Sequence, residues 1–240
     1  MTNDELTNQL ALEMALDLHN RRPTAKEVFK HLDIELLPHA TVDTTLCEIY
    51  DWFKRNWRTT NDTFIPWLYP DPTDTKKMME KLANVERVTA EVPNFEFDKE
   101  NLLELGVKIP QLFGIKVVGD VKNAKKFSIK ISEITKSRLS NSVSPGMEIA
   151  RRLSEFKMSN PRDYRKNIKF DYIAEALFYA EKVEVELEKE AGVSLDIGFE
   201  MEGIEVETEM NTETKKKMKL TYSNKIVPFG ASLVKGKNLF

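Results

Sequence analysis

Apolar and polar residues alternate from Phe170 to Tyr222 for longer than anywhere else in the chain. Val183, Val185 and Leu187 alternate with Glu184, Glu186 and Glu188. After Ala191-Gly192 the pattern resumes as Val193, Leu195, Ile197, Phe199 and Met201, with polar residues or glycine between them. Gly203 shifts the phase by one, and Ile204, Val206, Thr208 and Met210 then alternate with Glu205, Glu207 and Glu209. Successive strand side chains point to opposite faces. The pattern therefore predicts three strands in a row, each with one apolar and one carboxylate-rich face. Two homes suit such strands. One is a half-buried antiparallel sheet with a wet face; the other is a membrane-spanning β-hairpin, in which about 9–11 residues cross the bilayer.

The remaining elements are placed around this stretch. Leu6, Leu10, Met14 and Leu18 predict a helix over Asn3–His19. Thr24 and Glu27 form a capping box for a second helix carrying Val28, Phe29 and Leu32, so residues 1–40 form a helical opening. Ile49, Tyr50, Trp52, Phe53 and Trp57, interleaved with Lys54, Arg55 and Arg58, predict strands with one packed face. After the proline-rich loop at Pro70–Asp74, Asp74 or Thr75 is the expected cap of a short helix through Met78, Met79 and Leu82. Residues 107–134 predict a first hairpin: Val107–Val121, a turn at Lys122-Asn123-Ala124, then Phe127, Ile129 and Ile131 alternating with Ser128, Lys130 and Ser132. Ser144 and Pro145 are the expected cap and first position of a helix over 145–157, buried through Ile149, Leu153 and Phe156. A linker at Ser159–Asn167 carries Arg162, Arg165 and Lys166. Residues 170–222 are a second hairpin, and 225–240 a closing strand. Helices, strands, a helix and strands again predict one α+β domain, residues 1–240, with a twisted antiparallel sheet.

Composition narrows the functional classes. A net charge of −3 over 240 residues provides no global drive toward nucleic acid. The one cysteine, Cys47, leaves no intramolecular disulfide and suits a reducing compartment. The chain carries no signal-peptide pattern and no apolar run near the roughly 20 residues of a spanning helix. It has no P-loop, dinucleotide glycine pattern or serine elbow. His19, His31 and His39 stand 12 and 8 apart, not at the spacing of a helical metal pair. Regular alternation explains the glutamates as a solvated face. The expectation is a protein that is not an enzyme and takes no cofactor or metal.

The order of parts resembles the pore-forming domain of the gasdermin family. Val117-Val-Gly-Asp-Val121 with Phe127–Ile134 resembles that family's first membrane-inserting hairpin. Asp171–Glu175 through Val183–Leu187 and on to Met210 resembles its second, and Pro228–Lys237 resembles the end of the domain. In length the chain is most like the short fungal regulator-of-cell-death members. Stopping at Phe240, it resembles a bare pore domain without a repressor.

The resemblance implies a cytoplasmic protein that binds anionic lipid at the inner leaflet of the plasma membrane. It implies self-association into a ring, triggered in allorecognition by an allelic variant of the same protein, and insertion of both hairpins as a β-barrel that kills the cell. The inserting residues are then Phe127, Ile129, Ile131, Val183, Val185, Leu187, Val193, Leu195, Ile197, Phe199, Ile204 and Val206. Clustering makes Arg21, Arg22, Lys122, Lys125, Lys126, Arg151, Arg152, Lys215, Lys216 and Lys217 the lipid-binding candidates. The competing expectation is a protein-interaction module that pairs by a sheet edge and never inserts.

Overall fold

In the computed structural model the longest strand, β8, runs unbroken from Tyr172 to Glu188. The structure describes residues 29, 32–37, 40, 43–53, 56–98, 116–118, 125–140, 142–188, 198–200, 204–211, 215–222 and 227–240. The opening helix expected over Asn3–His19 lies outside them. Before β8 come β1 (Glu35–Leu36), β2 (Glu48–Phe53), β3 (Asn56–Thr63), α1 (Ile65–Leu68) and α2 (Pro72–Ala83). Then follow β4 (Val88–Thr89), β5 (Phe95–Asp98), β6 (Lys116–Val118), β7 (Lys126–Arg138), α3 (Gly146–Ser159) and α4 (Pro161–Asn167). After β8 stand β9 (Gly198–Glu200), β10 (Ile204–Asn211), β11 (Lys215–Tyr222), β12 (Pro228–Lys235) and a 3₁₀ turn at Gly236–Asn238.

The architecture is α+β, with an antiparallel sheet of ten described strands. β8 pairs with β7 along one side, from Arg138↔Ala176 to Lys126↔Glu188. Its other side takes β12 over Tyr172–Tyr179 and β11 over Val183–Glu188. The change of partner matches a change in burial. Ile173, Ala174, Ala176, Leu177 and Phe178 are all buried, and neighbours on a strand face opposite ways, so both faces are covered there. From Lys182 onward Val183 and Val185 are buried, and Lys182, Glu184, Glu186 and Glu188 are half-buried. One-sided alternation therefore marks only the second half of β8; the small alanines of the first half fit a strand packed on both faces.

One core joins the helices to the sheet. Ile65, Leu68, Met78, Leu82, Ile149, Leu153 and Tyr164 pack in a single cluster with Ile173, Leu177 and Leu239. A second group holds Phe29, Phe95 and Phe229, with ring centroids 5.5, 5.7 and 6.2 Å apart. The Phe95 ring stands edge-on to the other two, the favoured arrangement for aromatic quadrupoles.

Several expectations are corrected. The cap of α2 is Asp71, whose carboxylate accepts from the Thr73 and Asp74 N–H groups at 2.8 and 3.3 Å. Pro72 then fills a first-turn position that needs no donor. Ser144 does not cap α3: Pro145 holds the cap position without a side-chain bond, and buried Gly146 approaches the Ser140 backbone closely. The expected linker at Ser159–Asn167 is helical, ending α3 and forming α4.

The first hairpin is also paired differently. Lys116–Val118 lies opposite Gly198–Glu200, and no pairing of β6 with β7 occurs among the described residues. β7 pairs instead with β5 and β8. The β6–β9 pair forms a separate two-stranded sheet among the described residues. The turn expected at Lys122–Ala124 lies outside the described residues.

Candidate functional site

The β7–β8 ladder carries half of the residues expected to insert: Phe127, Ile129, Ile131, Val183, Val185 and Leu187. Ile129, Ile131, Val183 and Val185 stand in two directly opposed pairs, Ile129↔Val185 and Ile131↔Val183. All four are at most 2% exposed. The apolar stripe expected to meet lipid is thus turned into the protein in this conformation, and burial of such side chains stabilises it by about 1.5–3 kcal/mol each. Phe127 and Leu187 are the next opposed pair on the same ladder. Phe199 lies on β9, opposite Val117; Ile204 and Val206 lie on β10, opposite Tyr222 and Leu220. Val193, Leu195 and Ile197 are outside the described residues.

The polar side chains of the ladder are tied across strands. Lys130 Nζ lies 3.4 Å from Glu186 Oε2, and Lys126 Nζ 3.7 Å from Glu186 Oε1. Lys125 Nζ lies 3.2 Å from Glu188 Oε1. Farther along, the Thr135 hydroxyl donates to Glu181 at 2.6 Å, and Arg138 donates to Glu175 at 3.3 Å. Arg87 stacks over the Tyr179 ring and lies 3.6 Å from Glu181. On the other flank of β8 the register sets Lys215, Lys217 and Lys219 opposite Glu188, Glu186 and Glu184. The carboxylate row of β8 therefore runs between two lysine-bearing strands. Such half-exposed pairs contribute about 0.2–1 kcal/mol each, so the row sets register more than it adds stability.

Burial modulates the ionisable groups nearby. It pushes the Tyr179 hydroxyl above its ordinary range, with the Ser137 contact and the Arg87 charge opposing. It raises the Asp171 carboxyl, and the Asp51 charge adds to the effect. The Cys47 thiol, fully buried, is pushed far up and stays protonated, the opposite of an activated thiolate.

The basic candidates divide into groups. Lys125, Lys126 and Lys215–Lys217 come together at one end of the β7–β8–β11 sheet. Arg151 and Arg152 stand apart on α3, where Arg151 donates to Glu155 at 2.6 Å and Arg152 stacks over Tyr69 at 5.4 Å. Arg21, Arg22 and Lys122 lie outside the described residues. A further basic set lies in the stretch expected to be a linker. Arg162, Arg165 and Lys166 are exposed on α4, and Lys169 lies 5.1 Å from the ring of Phe170, itself 55% exposed. An aromatic next to a basic run was the available signal.

Between β4 and β5 the edge bulges. Ala90 N–H donates to the Ile134 carbonyl at 2.9 Å, and pairing resumes only at Phe95↔Ile131. Opposite this gap Glu133 adopts a φ of 55°, in the left-handed region that a non-glycine residue seldom enters. An open polar pocket of about 410 Å³ lies there, lined in part by Asn94, Lys130 and Lys182. No protein-family model matches the chain, and no curated protein matches its sequence.

Proposed function

We propose that the chain is a gasdermin-like pore former, which binds anionic lipid, assembles with further copies and lengthens its sheet into a transmembrane β-barrel. The observation carrying this reading is a shared exit line. β5, β7, β8 and β11 are neighbours in that order. Lys126, Glu188 and Lys215 stand abreast at the line, and Asp98 pairs with Ser128 just inside it. Two lengths of chain leave and return there: residues 99–125 join β5 to β7, and 189–214 join β8 to β11.

Each length holds a little over two dozen residues, enough for two strands of about 9–11 residues and a turn. Continued at the same registers, β5/β7 would turn at Leu112–Gly114 and β8/β11 at Met201–Glu202. Gly114 lies in the first turn and Gly203 directly follows the second; glycine accepts the positive φ that tight hairpins need. Val193, Leu195, Ile197 and Phe199 would face lipid, and Ser194 and Asp196 between them a wet lumen. Ring closure would remove the remaining edges.

The resemblance in part order supports the same reading, as does the antiparallel α+β build. Exposed Arg162, Arg165 and Lys166 join the basic candidates for lipid attraction, at about 1 kcal/mol per cation near an anionic surface. In a cell the protein would act from the cytoplasmic leaflet, released by an allelic variant.

Dye-loaded liposomes, anionic and neutral, test the reading. Leakage confined to anionic vesicles is the expected result. Neither binding nor leakage, alone or mixed with a variant chain, would overturn it in favour of an interaction module.

A further inference from the structure

β10 occupies a place it cannot keep if the sheet lengthens. It pairs with β11 from Ile204↔Tyr222 to Asn211↔Lys216, and with no other strand among the described residues. β11 therefore has both edges filled, one by β8 and one by β10. Extension of the β8/β11 hairpin would make residues 204–214 the axial continuation of β11, opposite the prolonged β8. A strand cannot be the axial continuation of β11 and its lateral neighbour together. Resting on the pore-forming reading, we infer that β10 is an internal stand-in for a second copy of this chain. It covers the outer edge of β11, and its departure exposes that edge to β5 of another molecule.

Direction and charge identify the occupant. β5 runs toward the exit line and β11 away from it, so their pairing would be antiparallel, like the pairs already present. β11 carries Lys215, Lys216, Lys217 and Lys219. The strand now beside it is acidic at alternate positions, Glu205, Glu207 and Glu209, with Glu207 opposite Lys219. β5 repeats this pattern in miniature as Phe95-Glu96-Phe97-Asp98, and among the described strands it pairs with β7 alone. Opposite charges on neighbouring strands favour pairing, and like charges oppose it. Two copies of β11 would set lysines against lysines, whereas β5 against β11 sets carboxylates against them. Covering an adhesive edge until assembly is a general need of sheet proteins.

A reversible tether tests this. Glu207→Cys with Lys219→Cys links β10 to β11 when oxidised; buried Cys47 is the only native thiol. Ser132→Cys with Lys182→Cys on the retained β7–β8 ladder is the control. Self-association on anionic liposomes is read by cross-linking, and leakage in parallel. Val206→Pro, which removes a ladder donor, is added as a release variant. The oxidised β10–β11 tether is expected to lower association and leakage about tenfold or more, because the edge stays covered. Reductant restores both, the control tether changes neither, and Val206→Pro associates more readily than the parent. Adding Glu96→Lys and Asp98→Lys to the release variant is expected to abolish its association. Equal association with the tether closed or open would overturn the inference while leaving pore formation intact. Association that obeys the tether without leakage from any variant would uphold the edge-cover role and sink the pore reading.

Discussion

Lys81 Nζ lies 2.8 Å from Glu148 Oε2, joining the last turn of α2 to the first turn of α3. The other oxygen of Glu148 accepts from the Tyr69 hydroxyl at 3.3 Å, so one carboxylate ties three helical segments together. The Lys81 hydrogen bond chiefly holds the Glu148 carboxyl below its ordinary range. Burial, helped by the Glu148 charge, pushes the Tyr69 hydroxyl up to about 12.

A carboxyl whose pKa is lowered by folding stabilises the fold above its unfolded pKa. That contribution is lost as pH falls through the folded value. Glu148→Gln is therefore expected to cost about 1 kcal/mol at neutral pH, a modest figure because the pair is partly exposed. The gap from the parent should close in acid. Urea unfolding at neutral and acidic pH measures it; a gap independent of pH would contradict the tie.

Ile129 is buried opposite Val185. Ile129→Lys is expected to destabilise the fold by about 4 kcal/mol, since an unpaired charge would be buried. The substitution therefore reports on folding before it reports on insertion. Thermal unfolding decides this, and an unchanged midpoint would show that the apolar stripe is not covered in solution.

Ser128 is fully buried, and its hydroxyl finds no hydrogen-bond partner among the described residues. Losing that desolvated group should help: Ser128→Ala is expected to raise stability by about 1 kcal/mol. A loss of stability in urea unfolding would reveal a partner for the hydroxyl.

The 3₁₀ turn after β12 closes against the end of α4. Gly236 N–H donates to the Asp171 carbonyl at 3.0 Å, and Lys237 N–H to the Lys169 carbonyl at 3.1 Å. A β-carbon at Gly236 would fall on the Ile168 carbonyl oxygen. Gly236→Ala should therefore cost about 3 kcal/mol, because backbone on both sides must shift. Amide exchange of Gly236 and Lys237 locates the damage; protection equal to the parent's would refute the close approach.

Period-two alternation was enough to place β7, the outer half of β8 and β10; on β7 and β8 one covered and one wet face leaves that imprint directly. The apolar spacing of Ile149, Leu153 and Phe156 likewise marked the buried side of α3. Caps were less legible: Asp71, Asp74 and Thr75 are all chemically able to hold an N-terminus, and only the position of Pro72 in the folded first turn selects Asp71. The inner half of β8, packed on both faces, carries no alternation to read. Pairing was the least legible feature. Alternation states which way a side chain points and is silent about which strand lies alongside, so β6 against β9, β5 against β7 and β10 on the edge of β11 were decided by the tertiary structure alone. Local sequence determined the faces of the strands in this protein. Their neighbours were set by long-range contacts, since backbone hydrogen bonds are alike in every strand and only the packing of the whole sheet distinguishes one partner from another.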